Sequence, residues 1–255
     1  MRPNKLKTLW KEGKHATMGW CNLADTYSGE IMAHAGFDTV LLDMQHGIAI
    51  GPDRAGLWLQ AIGQTQAVPL VRVPWNEQVY IQWVLDAGAY GVIVPLVNSY
   101  EDAVKAGAAC RYAPQGFRSV GANRQRLVQG PEYDTEANRE VVCLVMIETP
   151  RAVERLPEIL KAPGIDGVYI GPSDLARAIA PSIAEGRADP RHEQMCQHVL
   201  DITREHKMIP GIHAANAEEA ARRFKQGWMI SPVAIDTYAL GTFSAGALKH
   251  VRESK

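Results

Sequence analysis

The sequence predicts an α/β protein folded as a (β/α)8 barrel, and three observations carry that expectation. Short apolar runs recur eight times, amphipathic stretches with helical spacing lie between them, and the length is 255 residues. A strand-helix alternation implies right-handed βαβ units and a parallel sheet. Barrels of this type commonly use about 250 residues as one domain, so eight repeats favour closure over an open doubly wound sheet.

In chain order the strand-like runs are Thr17–Cys21, Phe37–Asp43, Val68–Val73, Gly91–Pro95, Val141–Glu148, Gly167–Ile170, Met208–Ile212 and Trp228–Val233. They are nearly continuous in apolar residues, as strands covered on both faces are. The stretches NEQVYIQWVLDAG, SYEDAVKAGAACRYA, RAVERLPEILKAPG and NAEEAARRFKQG are expected as helices between them. Two connections, Gln115 to Asn138 and Ala180 to His192, exceed ordinary loop length. Long loops of this kind are functional or disordered. The first, rich in Arg and Gly, is expected to cover the mouth of the barrel after the fourth unit. No linker-like composition break occurs, so residues 1–255 are expected to form one domain.

Bulk properties narrow the function class. Net charge is −1 with mixed signs, so no basic stripe predicts nucleic-acid binding. Cys21, Cys110, Cys143 and Cys196 are scattered without ligand-like spacing, which fits buried thiols in a reducing cytosol. The N-terminus MRPNKLKTLWKEGKH lacks an apolar signal region, and no run approaches the roughly 20 residues that span a bilayer. The expectation is a soluble cytoplasmic protein. Neither GxGxxG nor GxxxxGK[ST] occurs, which weakens dinucleotide and P-loop readings.

Barrel chemistry sits at the C-terminal ends of the strands. Those ends carry Asp43, Arg72, Glu148 and, in GPSD, Asp174, with His46 just past the second strand. Charged groups ending apolar strands must pair, bind an ion or face solvent. By strand alternation Glu148 shares its face with Met146 and Leu144, and Arg72 with Leu70 and Val68. Glu148 and Asp174 end consecutive strands, which lie about 4.8 Å apart, close enough to hold one hard cation such as Mg²⁺ or Mn²⁺. The competing reading pairs Glu148 with an arginine and spends Asp174 as a helix cap. Asp43 can orient Arg72 toward a carboxylate or a developing oxyanion, or the two can form a structural ion pair. His46 can act as a general acid or base, or be an inert loop histidine. His213, at the end of the seventh strand, is a second candidate. No lysine stands at a strand end, so a Schiff base has no candidate, and the last two loops lack a Gly-rich phosphate cradle. Carbonyl chemistry here would be metal-dependent and act on unphosphorylated acids.

Taken in order, LLDMQHG, VPLVRVPW, VLDAGAYGVIVPLV, YAPQGFRSVG, LVMIETPRAV and GIDGVYIGPSDLA resemble the HpcH/HpaI aldolase family, from about Leu6 to Phe243. Its members include class II pyruvate aldolases acting on 4-hydroxy-2-oxoheptanedioate or on 2-keto-3-deoxy sugar acids. The resemblance implies a (β/α)8 barrel and a divalent metal (Mg²⁺, Mn²⁺ or Co²⁺) held by Glu148 and Asp174. It implies pyruvate or hydroxypyruvate bound through carboxylate and 2-oxo oxygen, with an aldehyde as second substrate. It puts Arg72 on the 2-oxo oxygen, His46 in acid–base work, and the backbone amides of Ser173 and Asp174 on the carboxylate. It also implies that Asp86 reaches a neighbouring subunit's histidine, in a homohexamer built as two trimers, with C-terminal helices packed on a neighbour. Three positions depart from many members: Gln45 stands for Glu, Met146 for Gln, and His213 for an apolar residue. These departures bear on aldehyde preference and on water placement. Decarboxylation of oxaloacetate-like acids, through the same enolate, and a catalytically silent metabolite-binding barrel remain the alternatives.

Overall fold

The computed structural model describes residues 1–48 and 50–254. Eight parallel strands close into one barrel in sequence order. They are β1 (Ala16–Cys21), β2 (Thr39–Asp43), β3 (Val68–Arg72), β4 (Gly91–Val94), β5 (Val142–Ile147), β6 (Gly167–Ile170), β7 (Ile209–Ile212) and β8 (Ile230–Ile235). The helices before β5 are α1 (Lys5–Lys11), α2 (Thr26–His34), α3 (Pro52–Ile62), α4 (Gln78–Ala87), α5 (Tyr100–Cys110), α6 (Asn123–Gln129) and α7 (Tyr133–Glu140). Those after it are α8 (Pro150–Glu154), α9 (Leu156–Ile159), α10 (Pro172–Ile179), α11 (Ile183–Ala188), α12 (Pro190–Glu205), α13 (Ala217–Gln226) and α14 (Asp236–Glu253).

Strand alternation divides the apolar residues into two layers. Met18, Trp20, Leu41, Leu70, Ile93, Leu144, Met146 and Tyr169 fill the barrel interior. Val40, Leu42, Val71, Val92, Val145, Ile147 and Ile170 face the surrounding helices. Each large side chain fully buried in this way contributes roughly 1.5–3 kcal/mol. The N-terminal end is sealed by α1, whose Leu6 and Trp10 join the interior layer. Asn4 anchors that plug, its Nδ2 donating to the carbonyls of Glu140 at 2.8 Å and Tyr90 at 3.2 Å. The opposite, C-terminal end is therefore the one open to chemistry.

Four local expectations are corrected. The last strand runs Ile230–Ile235 rather than Trp228–Val233. Gly227 turns at φ +106 and the Trp228 amide still donates to Arg223 of the preceding helix, so the strand starts later. Its pairing with β1 also shifts register between Met18 and Gly19. The RAVERLPEILKAPG stretch is two helices, α8 and α9, because Pro157 lacks an N–H and opens the second one. The two long connections contain short helices, α6 and α7 in the first and α11 in the second. The first does not cover the mouth. Because α5 returns the chain to the N-terminal end, Gln125 and Gln129 line a pocket there with Arg2, Lys5 and Pro69.

The final helix is long yet barely packed. Of its 18 residues only Asp236 is buried, and Tyr238, Leu240, Phe243, Leu248 and Val251 are exposed. No helix among the described residues is long and apolar enough to cross a membrane.

Candidate active site at the C-terminal mouth of the barrel

Asp43 and Arg72 face each other in register at the ends of β2 and β3. Arg72 donates through Nε to Oδ1 at 2.8 Å and through Nη2 to Oδ2 at 2.5 Å. The pair is buried. A buried ion pair is tolerated only when its remaining lone pairs are satisfied, and the amides of Gln45 (3.0 Å) and His46 (3.2 Å) supply Asp43 Oδ1. Burial pushes the Asp43 carboxyl up, but Arg72 and these amides outweigh it and hold the group below its ordinary range. Asp43 thus shapes the turn that carries His46 as well as the guanidinium. Arg72 also lies 4.8 Å from the centroid of the Trp20 ring, which fixes its plane. His46 itself is exposed on that turn.

Glu148 follows β5 and is buried. Its Oε1 accepts the Leu96 amide at 2.7 Å. Leu96 holds φ +54, a conformation costly for a residue with a Cβ, so the loop after β4 is bent to aim that amide. Oε2 lies against the backbone of Gly171, where an added Cβ would sit 2.6 Å from it. Burial, reinforced by the negative charge of Asp174, pushes the Glu148 carboxyl up to about 7, against the pull of the Leu96 amide and Arg72. Glu148 forms no salt bridge with arginine among the described residues.

Asp174 lies in the first turn of α10 with its carboxylate exposed, and that helix has no side-chain cap. Neither carboxylate is spent on the structural alternative open to it. Two carboxylates whose charges oppose each other, one of them desolvated, form an oxygen donor set suited to a hard divalent cation. The first-turn amides of α10 are unpaired within the helix and carry the positive end of its dipole, a setting for an anion. Arg187 of α11 donates to Ser173 Oγ at 3.3 Å.

Asp43, His46, Arg72, Ser173 and Asp174 line one cavity of about 210 Å³, together with Trp20, Met146, Gly171, His213 and Tyr238. Glu148 sits one layer behind Gly171 in its wall. Asp86 is not brought there. It lies on α4, where Oδ1 accepts Arg118 Nη2 at 2.6 Å. Arg118 is buried between the rings of Tyr112 and Tyr133. A second cluster, His192, Glu193 and Cys196 on α12, has ligand atoms within 4.8 Å of one another. Its groups are engaged elsewhere: His192 Nε2 donates to the Pro172 carbonyl at 2.8 Å, and Glu193 pairs with Arg223 at 2.7 and 2.9 Å. Burial pushes the Cys196 thiol up to about 11. This cluster braces α10 and α13 against α12.

Sequence reading missed Trp20, Leu96, Tyr169, Gly171 and Tyr238 as parts of this end. Trp20 and Tyr169 stand on the inward faces of β1 and β6 near the strand ends, a position that alternation could have flagged. Leu96 carries no signal in the sequence.

The sequence profile of the HpcH/HpaI aldolase/citrate lyase family matches residues 16–242. A hydroxypyruvate/pyruvate aldolase of Rhizorhabdus wittichii is 43% identical over 173 residues, 68% of each chain. The 4-hydroxy-2-oxo-heptane-1,7-dioate aldolase of Escherichia coli is 35% identical over 243 residues, covering 93% of this chain and 90% of the relative. The crystal structure of a HpcH/HpaI aldolase/citrate lyase family protein from Burkholderia cenocepacia superposes with a TM-score of 0.90 at 28% identity, covering 98% of this chain and 99% of that one. A closed barrel carrying strand-end charges at one mouth, matched along most of its length by these proteins, belongs to the HpcH/HpaI aldolase/citrate lyase family.

Proposed function

We propose that this chain cleaves 4-hydroxy-2-oxo acids reversibly into an aldehyde and pyruvate or hydroxypyruvate, with a divalent metal held by Glu148 and Asp174. The observation that carries this reading is the Asp43–Arg72 pair, whose fixed guanidinium opens into the same cavity as His46 and the start of α10. The names of the aldolase relatives support the reaction class. When bound, the metal supplies Lewis-acid polarisation of the 2-oxo group.

The chain's own groups divide the remaining work. The amides of Ser173 and Asp174 receive the substrate carboxylate. Arg72 meets the 2-oxo oxygen, where negative charge develops, and its preorganised fork costs no reorientation during reaction. In cleavage His46 takes the C4 hydroxyl proton, the C3–C4 bond breaks, and its electron pair passes into the enolate at C2. The aldehyde leaves, C3 takes a proton from solvent water to give pyruvate, and His46 releases its proton to solvent. In synthesis His46 returns the proton to the new alkoxide.

Asp86 is assigned to a neighbouring subunit's histidine, in a hexamer. Association, though not the role of Asp86, is supported by the exposed apolar surface of α14, which can pack on a second copy. The test of function is pyruvate release from a panel of 4-hydroxy-2-oxo acids with Mg²⁺, Mn²⁺ or Co²⁺ supplied. Release from at least one acid is expected. No release from any acid with any metal would favour a silent binding barrel, and turnover of oxaloacetate alone would favour the decarboxylase.

A further inference from the structure

The inward row of β7 continues past the strand to His213, which lines the cavity beside Trp20 and Arg72. Gly211, two residues earlier, makes room beneath it: a Cβ there would sit 2.7 Å from the Tyr169 ring and 2.8 Å from Ile230. The fully buried Tyr169 fills that space and brings its hydroxyl 3.3 Å from His213 Nδ1. Among the described residues this is the only hydrogen bond of that hydroxyl. A buried phenol that donated to nothing would be costly. Tyr169 therefore donates to Nδ1, and the imidazole proton sits on Nε2.

The ring is also held in plane. It meets Trp20 edge-on, with centroids 4.6 Å apart and planes at 90°. The same indole carries the Arg72 guanidinium at 4.8 Å. Burial, with the charge of Arg72 acting in the same direction, lowers the His213 pKa to about 4, so the ring is neutral near pH 7. Nε2–H has no protein acceptor among the described residues. It is a fixed, neutral donor sharing one aromatic platform with the arginine assigned to the 2-oxo oxygen.

We propose that His213 Nε2–H donates to a hydroxyl oxygen of the substrate beside the bond being made or broken, and so selects hydroxylated substrates over their deoxy analogues. This rests on the aldolase reading above and deepens it. The hydroxyl can be carried by C3 of the 2-oxo acid, as in hydroxypyruvate, or by the aldehyde, as in glycolaldehyde. A site built around a polar partner discriminates against the analogue lacking it, because the site's own polar group is then left unpaired.

The experiment measures two kcat/KM ratios in the wild-type protein and in His213→Leu. One is hydroxypyruvate over pyruvate with formaldehyde as common acceptor. The other is glycolaldehyde over acetaldehyde with pyruvate as common donor. Each ratio is taken within one preparation, so partial misfolding cancels. His213→Leu is expected to lower at least one ratio about tenfold, and the ratio that moves identifies which substrate carries the hydroxyl. His213→Gln, which keeps an N–H donor, is expected to restore most of that loss. If His213→Leu does not fold, His213→Met fills the volume without a donor and is read identically. Ratios within twofold of wild type in the donor-free variant, alongside normal wild-type turnover, overturn this assignment alone. No wild-type turnover with any pair overturns the aldolase reading and this assignment with it.

Discussion

At the scale of single residues, Glu148 and His46 have opposite surroundings, one buried and the other exposed. Glu148 is buried, and burial together with Asp174 raises its carboxyl from an ordinary 4.5 to about 7. A raised carboxyl favours the folded state below its unfolded value and loses that contribution as pH climbs from 4.5 to about 7. In metal-free buffer Glu148→Gln should therefore be more thermostable than the wild type above pH 7, with the gap closing toward pH 4.5 in melting curves. Apparent metal affinity of the wild type should weaken below pH 7, where proton and metal compete for the carboxylate. Equal melting temperatures across the range would mean that Glu148 is not desolvated as described. His46 is exposed and, among the described residues, tied to Asp43 through its backbone amide. His46→Ala should slow carbon–carbon cleavage about 10²- to 10⁴-fold more than it slows exchange of pyruvate's methyl protons. Exchange requires an enolate but no proton from a C4 hydroxyl. Equal losses would make His46 a binding residue.

Among the elements, the junction of β6 with α10 shapes the end of the cavity proposed to hold the metal. Gly171→Ala would put a Cβ 2.6 Å from Glu148 Oε2 and 3.0 Å from Glu148 Cβ. The mobile end of the glutamate yields more readily than backbone, so the carboxylate swings away. Metal affinity should fall about 10- to 100-fold while the fold persists, measurable by metal titration alongside circular dichroism. Unchanged affinity would detach Glu148 from the metal. At this scale much of the architecture was legible. Strands covered on both faces are continuous apolar runs, so all eight could be found, and their ends and the turns that follow them put Asp43, Arg72, Glu148 and Asp174 at one mouth. Elements without such a signature were not legible. Helices α6, α7 and α11 are short and polar, and were expected as loops. The location of residues 115–138 depends on the direction in which α5 returns the chain. Leu96 combines a left-handed backbone with an amide aimed at Glu148, a partner distant in sequence that no local pattern around Leu96 announces.

For the whole molecule, α14 is the feature a single chain does not explain. Leu240 is 59% exposed and Phe243 80%, an apolar surface that association would cover. The double change Leu240→Lys and Phe243→Lys should yield smaller species in sedimentation with unaltered secondary structure. An unchanged assembly, or a wild type that is already monomeric, would remove α14 from any interface. The central claim is that this barrel forms an enolate of pyruvate with the help of a divalent metal. It is tested most directly by following exchange of pyruvate's methyl protons in deuterated water by NMR, with metal-stripped and metal-restored protein. Exchange is expected to stop on stripping and to return with Mg²⁺, Mn²⁺ or Co²⁺. Exchange that persists after exhaustive chelation, or pyruvate trapped covalently on the protein by borohydride, would contradict it.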